Sequence, residues 1–252
     1  MKKLENWNLA FGICLVFGIW FLGFAPAGAM GGPAPKPSEP AAVPAAAPVL
    51  AEKVFLIDNF ESGSIKSPRE WWTFDLKKAG PVSNSELKGG DEQVAAQTGN
   101  YSLQLSGPAK SWYAGGVGTY LAKEGQDLSK YNNIQLDVYG NGPGSGTMKI
   151  QLVDDDNNNW VVETDPKTFT PTKDDLWSYE LKVDWDGWKR VSVPCSDFIL
   201  ENPGAGDGTW NPQQTNGSGG LLQMQVICLA SSSDGKVNFN IDNISLTMGT
   251  TK

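Results

Sequence analysis

In the stretch "VFLIDNFESG", Asp58 and Glu61 stand three positions apart around Phe60, two carboxylates at the end of an apolar run. Paired acids in such a setting either move protons or hold a hard cation. The chain has 252 residues and no histidine, so the commonest general base and the commonest zinc ligand are both missing. What remains is the chemistry of carboxylates, hydroxyls and hard metals. Near the other end, "NIDNISL" sets Ile241 and Ile244 out of alternation around Asp242 and Asn243, the signature of a β-bulge. First and last strands of a sandwich are often neighbours, so Asp58, Glu61 and Asp242 are expected to converge. Three acids brought together repel one another, and partial burial adds a cost of several kcal/mol each. Calcium relieves that conflict, because it takes roughly 6–8 oxygen ligands from carboxylates, carbonyls and water. The Gly99–Asn100 turn of "QTGNYSLQL" suits carbonyl donation. The alternative is a plain hydrogen-bond cluster with an exposed Glu61.

Catalysis by carboxylates would need two of them facing each other across a cleft, about 5–5.5 Å apart for retention or about 6.5–9.5 Å for inversion of a glycoside. Asp156, Glu163, Asp165 and Glu201 are the available acids. The E-x-D-x-x-E strand signature of jelly-roll glucanases is absent, and no serine has a histidine base, so a non-catalytic protein is expected.

The elements that must position these residues are strands. "NIQLDVYG" puts Ile134, Leu136 and Val138 on one face, and "TMKIQLV", "KRVSVPC" and "KVNFNI" repeat the alternation. Short half-apolar strands between Gly, Asn, Asp and Pro clusters predict two antiparallel sheets packed face to face. "GNGPGSG" and "DDDNNN" read as exposed turns; the latter lacks the Gly and terminal Glu of a helix-flanked calcium loop. Residues 1–29 read as a signal peptide, with Lys2 and Lys3, an apolar run from Leu9 to Phe24, and Ala27 and Ala29 before the cut. An uncleaved membrane anchor is the alternative. Residues 30–50 are a Pro/Ala-rich linker, and 51–248 form the domain. The expected location is secreted, periplasmic or in a bacterial cell envelope. Without residues 1–29 the chain carries 18 basic and 27 acidic residues, a net of −9, which disfavours nucleic acid and anionic lipid. Membrane contact is then left to the N-terminal segment if it is retained. Cys195 and Cys228 either pair in an oxidising compartment or stay as buried thiols.

In order along the chain, "LIDNFES", "QTGNYSLQLSG", "DLSKYNNIQLDVYGNG", "LVDDDNNNW", "DWDGWKRVSVPCSDF" and "VNFNIDNISL" resemble family 11 carbohydrate-binding modules. They look equally like the galactose-binding-like domain of mitochondrial complex I intermediate-associated proteins. The resemblance spans residues 54 to 247 and implies a β-jelly-roll sandwich with a structural calcium at Asp58, Glu61 and Asp242, helped by the Gln97 to Asn100 turn. It also implies a carbohydrate partner in a cleft on the concave sheet, where rings stack on sugar C–H faces and polar groups hold hydroxyls. Trp112 falls at a cleft tyrosine of that family, Trp72 near another, Asp156 at a cleft aspartate, Gln223 at a further acid and Leu229 at a tyrosine. Beyond Phe198 the cleft's basic and aromatic residues give way to "ILENPGAGDGTW", leaving Trp210 as the aromatic there. Trp71, Trp177, Trp185 and Trp188 are expected to pack. These departures argue against a β-glucan ligand and leave another glycan, or a protein partner on the same scaffold, as the two readings.

Overall fold

Alternation of apolar residues along short segments produces twelve strands in the computed structural model, which describes residues 53–249. The signal peptide and linker expected over residues 1–29 and 30–50 lie outside the described residues. In chain order the elements are β1 (Val54–Asp58), β2 (Trp72–Phe74), β3 (Lys78–Ser83), α1 (Glu92–Ala95), β4 (Tyr101–Pro108), β5 (Tyr113–Tyr120), β6 (Asn133–Asn141) and β7 (Gly146–Asp155). There follow β8 (Asp175–Val183), β9 (Asp186–Pro194), β10 (Ile199–Leu200), β11 (Gly220–Leu229) and β12 (Lys236–Thr247). They make two antiparallel six-stranded sheets. The first runs β3-β4-β12-β6-β9 with β1 also on β12, and the second runs β10-β8-β7-β11-β5-β2. The expected all-β jelly-roll sandwich is the fold observed.

Alternate residues of each sheet meet in the core: Ile134, Leu136 and Val138 of β6 and Phe239 and Ile241 of β12 face Met148, Ile150 and Leu152 of β7 and Met224 and Val226 of β11. Trp71 and Trp188 are buried, and Trp177 and Trp185 pack against this core, as expected of them. The register of β12 shifts between Asp242 and Ser245, with Asn243 at φ +46, where the sequence loses its alternation. That break has a topological cause. One flank of β12 pairs with β4 over Lys236–Ile241 and with β1 over Ile244–Thr247, so the bulge falls where one partner hands over to the next.

Cys195 and Cys228 are both free and buried. Burial pushes the Cys195 thiol up to about 11 and Cys228 higher still. Both should resist an aromatic disulfide reagent at pH 8 in the folded protein and react fully in denaturant. Prompt native labelling of either would show that its strand opens.

Candidate ligand cleft and acidic corners

The second sheet presents its outer face to a cleft. Along β11, Met224, Val226 and Cys228 point inward, which turns Gln223, Gln225 and Ile227 outward. On the adjoining β5, Gly118 pairs with both Gln225 and Trp72, and Gly116 with both Ile227 and Phe74. A Cβ at Gly118 would clash with the Trp72 indole, and one at Gly116 with the Phe74 ring. The glycines therefore let two aromatic rings lie against the backbone of β5. Tyr120, opposite Gln223, extends this platform, its ring centroid 5.4 Å from that of Trp72.

The cleft encloses about 860 Å³. Its floor is Trp72, Phe74, Tyr113, Tyr120, Gln151, Gln223 and Gln225, and its wall is the loop carrying Val162, Thr164 and Thr168 to Pro171. Asp165 shapes that wall: its Oδ1 accepts hydrogen bonds from the amides of Lys167 (2.8 Å) and Thr168 (2.9 Å), and its carbonyl accepts one from the amide of Phe169 (2.8 Å). Phe169 is left at φ +58 and 76% exposed. The polar groups are already aimed. Gln225 Nε2 donates to Gln223 Oε1 at 2.8 Å and Gln151 Nε2 to Glu201 Oε2 at 2.7 Å. The Tyr113 hydroxyl donates to Asp75 Oδ2 at 3.0 Å, and burial together with that carboxylate pushes Tyr113 up to about 12.

Of the expected cleft residues, Trp72 and Gln223 line it. Trp112 does not, although it is 54% exposed: Ser111 and Trp112 both have positive φ, and the turn they make carries Tyr113 into the lining instead. Trp210 packs edge-on against Trp177, centroids 5.8 Å apart. Asp156 is tied into a cluster at the end of β7, as described below. Leu229 is half-buried and pairs with Tyr113. Among the described lining residues the single acid is Asp75. Glu201, one of the acids considered for catalysis, is held by Lys149 and Gln151. Sequence reasoning passed over Tyr113, Tyr120, Gln151, Gln225 and Phe169. The signal available was "YAGGVGTY", whose glycines at outward positions reserve room for rings from a neighbouring strand.

At the bulge, acids from the two ends of the domain come near one another. Asp58 Oδ1 accepts from the Phe60 amide and Oδ2 from Trp71 Nε1, both at 2.9 Å. Glu61 Oε1 accepts from the amides of Asn100 and Tyr101 at 2.8 Å, and Oε2 from Asn100 Nδ2 at 3.0 Å. Asn243 Nδ2 bridges the Gln97 carbonyl (3.0 Å) and Asp137 Oδ2 (2.9 Å). Asp242 Oδ1 accepts from the Asn243 amide at 2.7 Å, but its buried Oδ2 has no protein partner. Burial, with Asp137, Glu61 and Asp58 nearby, pushes Asp242 up to about 8.

A second acidic corner lies at the end of β7, and it corrects the reading of the acidic half of "DDDNNN" as a solvated turn, while Asn157, Asn158 and Asn159 are exposed as expected. Asp154, Asp155 and Asp175 are fully buried. The ligand oxygens of Asp154, Asp156 and Asp175 all lie within 4.8 Å of one another, the one such acidic trio among the described residues. This trio could hold a metal ion. The Asp58, Glu61 and Asp242 group is more widely spaced.

The sequence model of the Complex I intermediate-associated protein 30 (CIA30) family matches residues 59–237. No curated protein matches the chain. Among solved structures the chain is similar to a family 11 carbohydrate-binding module from Clostridium thermocellum in complex with a beta-1,3-1,4-mixed-linked tetrasaccharide, at 19% identity over 77% of this chain and 95% of that one, with a TM-score of 0.47. It is also similar to the CBM22-2 xylan-binding domain of Paenibacillus barcinonensis Xyn10C, at 17% identity over 75% and 96% of the two chains, with a TM-score of 0.40. The family match begins directly after Asp58 and ends inside β12, so it takes in nearly every strand of the sandwich. The chain therefore belongs to the CIA30 family.

Proposed function

We infer that the domain is an exported, non-catalytic carbohydrate-binding module whose ligand lies in the cleft on the second sheet. A sandwich fold does not name a ligand, so the inference stands on the cleft itself. The observation that carries it is the platform of Trp72, Phe74 and Tyr120 over the glycines of β5, beside the outward row of Gln151, Gln223 and Gln225. Flat rings offer surface to the C–H faces of a pyranose, and carboxamides both donate to and accept from its hydroxyls. The expected calcium at Asp58, Glu61 and Asp242 suits the orphaned Asp242 Oδ2. There the Asp58, Glu61 and Asp242 carboxylates and the Gln97 carbonyl would be the ligands, with Asn100 orienting Glu61. A bound calcium would supply positive charge to Asp242, with which no basic side chain is paired among the described residues.

The test is affinity electrophoresis against a panel of polysaccharides. Trp72→Ala should weaken binding at least tenfold, equivalent to about 1.4 kcal/mol. Trp112→Ala, outside the lining, should do less. Binding to no glycan, or binding indifferent to Trp72, would remove this reading. Membership of a family described as Complex I intermediate-associated favours a second one, a protein-interaction module on the same sandwich. A stable protein partner displaced by Trp72→Ala would support it.

A further inference from the structure

The strongest unassigned feature is the acidic corner where β7 ends, β8 begins and the 201–219 loop folds over both. Asp154 Oδ1 accepts from Trp177 Nε1 (3.1 Å) and Oδ2 from the Asn211 amide (3.0 Å). Asp156 Oδ2 accepts from the Asp175 amide (2.8 Å) and Oδ1 from Asn211 Nδ2 (3.2 Å), while Asp175 Oδ2 accepts from the Gly208 amide (2.7 Å). These bonds fix the three carboxylates and leave an interior deficit. Asp175 is 0% exposed, yet its Oδ1 has no partner, and neither does the buried Oδ1 of Asn211. Asp175 Oδ1 and Asp156 Oδ2 lie close together beside Gly206: a Cβ built there would clash with both, so only a residue without a side chain fits against them.

No basic side chain is paired with the trio among the described residues. Three fixed carboxylates without a cation are costly to bury, and an unpartnered buried oxygen adds to that cost. The donor set is all oxygen, which suits a hard divalent ion and excludes a soft one. We propose that Asp154, Asp156 and Asp175 form a calcium site separate from the one inferred at Asp242. Waters complete the shell of about 6–8 oxygens. Burial and mutual repulsion, which push Asp154 up to about 8 and Asp156 up to about 6, would both be relieved by the ion.

The position gives the ion a task. The segment 157–173 leaves the fold at Asp156 and returns at Asp175, and between them it carries Val162, Thr164 and Phe169 into the cleft wall. One cation bound at both ends closes the base of that loop. It also ties the loop to 201–219 through Asn211 and Gly208.

Trp177 and Trp210 stand beside the trio, so terbium, a calcium surrogate, should luminesce when tryptophan in the full chain is excited, and calcium should quench it by displacement. Trp71 serves the Asp242 corner in the same way, which is why variants are needed. In calorimetric titrations with calcium alone, Asp175→Asn should lose one bound ion or weaken it at least 100-fold. Asp242→Asn should retain that ion. Asp156→Asn, at a half-buried position, provides the same comparison if Asp175→Asn does not fold. Hydrogen exchange over 157–173 should slow on adding calcium to the wild type and to Asp242→Asn. Unchanged stoichiometry and affinity in a folded Asp175→Asn or Asp156→Asn, or no binding by the wild type at millimolar calcium, would overturn the site. None of these readouts requires a glycan.

Discussion

Arg190→Ala is expected to destabilise the domain by about 3 kcal/mol, at the lower end of the range for stranding a buried charge. Asp137 sits in the middle of β6 at 0% exposure and accepts two hydrogen bonds from Arg190 on β9, Nε to Oδ1 at 2.7 Å and Nη2 to Oδ2 at 2.8 Å. The planar fork is matched to the carboxylate, so lysine would not replace it. Asn243 Nδ2 still donates to Asp137 Oδ2 in the variant, which keeps the loss from the upper end of that range. For a domain of this size the melting temperature should fall by roughly 10 °C. Replacing the pair together, as in Asp137→Leu with Arg190→Met, should recover most of the loss, because no charge is then left buried. A loss below about 1 kcal/mol in urea unfolding would show that the half-exposed guanidinium leaves the pair screened as at a surface.

Calcium is expected to stabilise the folded chain by about 2.7 kcal/mol for each site at 100 times its dissociation constant. Chelation should therefore lower the melting temperature by about 5–10 °C per site, reversibly on adding calcium. The corner at the bulge should be the one felt globally. Its ligands come from the end of β1 and the segment after it, the turn before β4 and the middle of β12, so the ion would join elements that are remote in the chain. Asp242→Asn removes the orphaned carboxylate oxygen and should abolish this part of the calcium increment. With calcium absent it should cost little, since the replaced group carries no ion pair. A melting curve indifferent to chelator and to calcium would return Asp58, Glu61 and Asp242 to ordinary hydrogen bonding.

How far the sequence could be read depended on how far each feature depended on distant contacts. Alternation over Ile134–Val138 and Val237–Ile241 is local, and it located two central strands of the first sheet. The break around Asp242 and Asn243 is also local, and it marked the bulge. The meeting of Asp58 with β12 followed from a general habit of sandwiches and is met here at Asp58 opposite Ile244. The acids of "DDDNNN" were misread because the composition is that of a turn, while their burial comes from residues 201–219, some 50 positions later, folding over them. Trp112 lies outside the cleft lining for a smaller reason. Two successive positive-φ residues reset the phase, so its neighbour Tyr113 faces the cleft. Trp210 was free to be placed anywhere from sequence, and edge-on contact with Trp177 decided the matter. The platform itself was readable in the glycines of β5, whose value lies in what the adjacent strand puts over them.

The partition of β12 between β4 and β1 also governs when this domain can form. Three strands from the first two-thirds of the sequence, β1, β4 and β6, all dock on a segment that ends at Thr247. A chain emerging N-terminus first, from a ribosome or through a narrow export pore, has no β12 for β1 to pair with until residues 244–247 are out. Assembly of the first sheet is thus a late, long-range event, of the kind that makes folding slow and leaves strand edges exposed meanwhile. Truncation before Lys236 would remove the common neighbour of all three strands, and the emergence of β12, more than the synthesis of the strands before it, would set when the domain becomes functional.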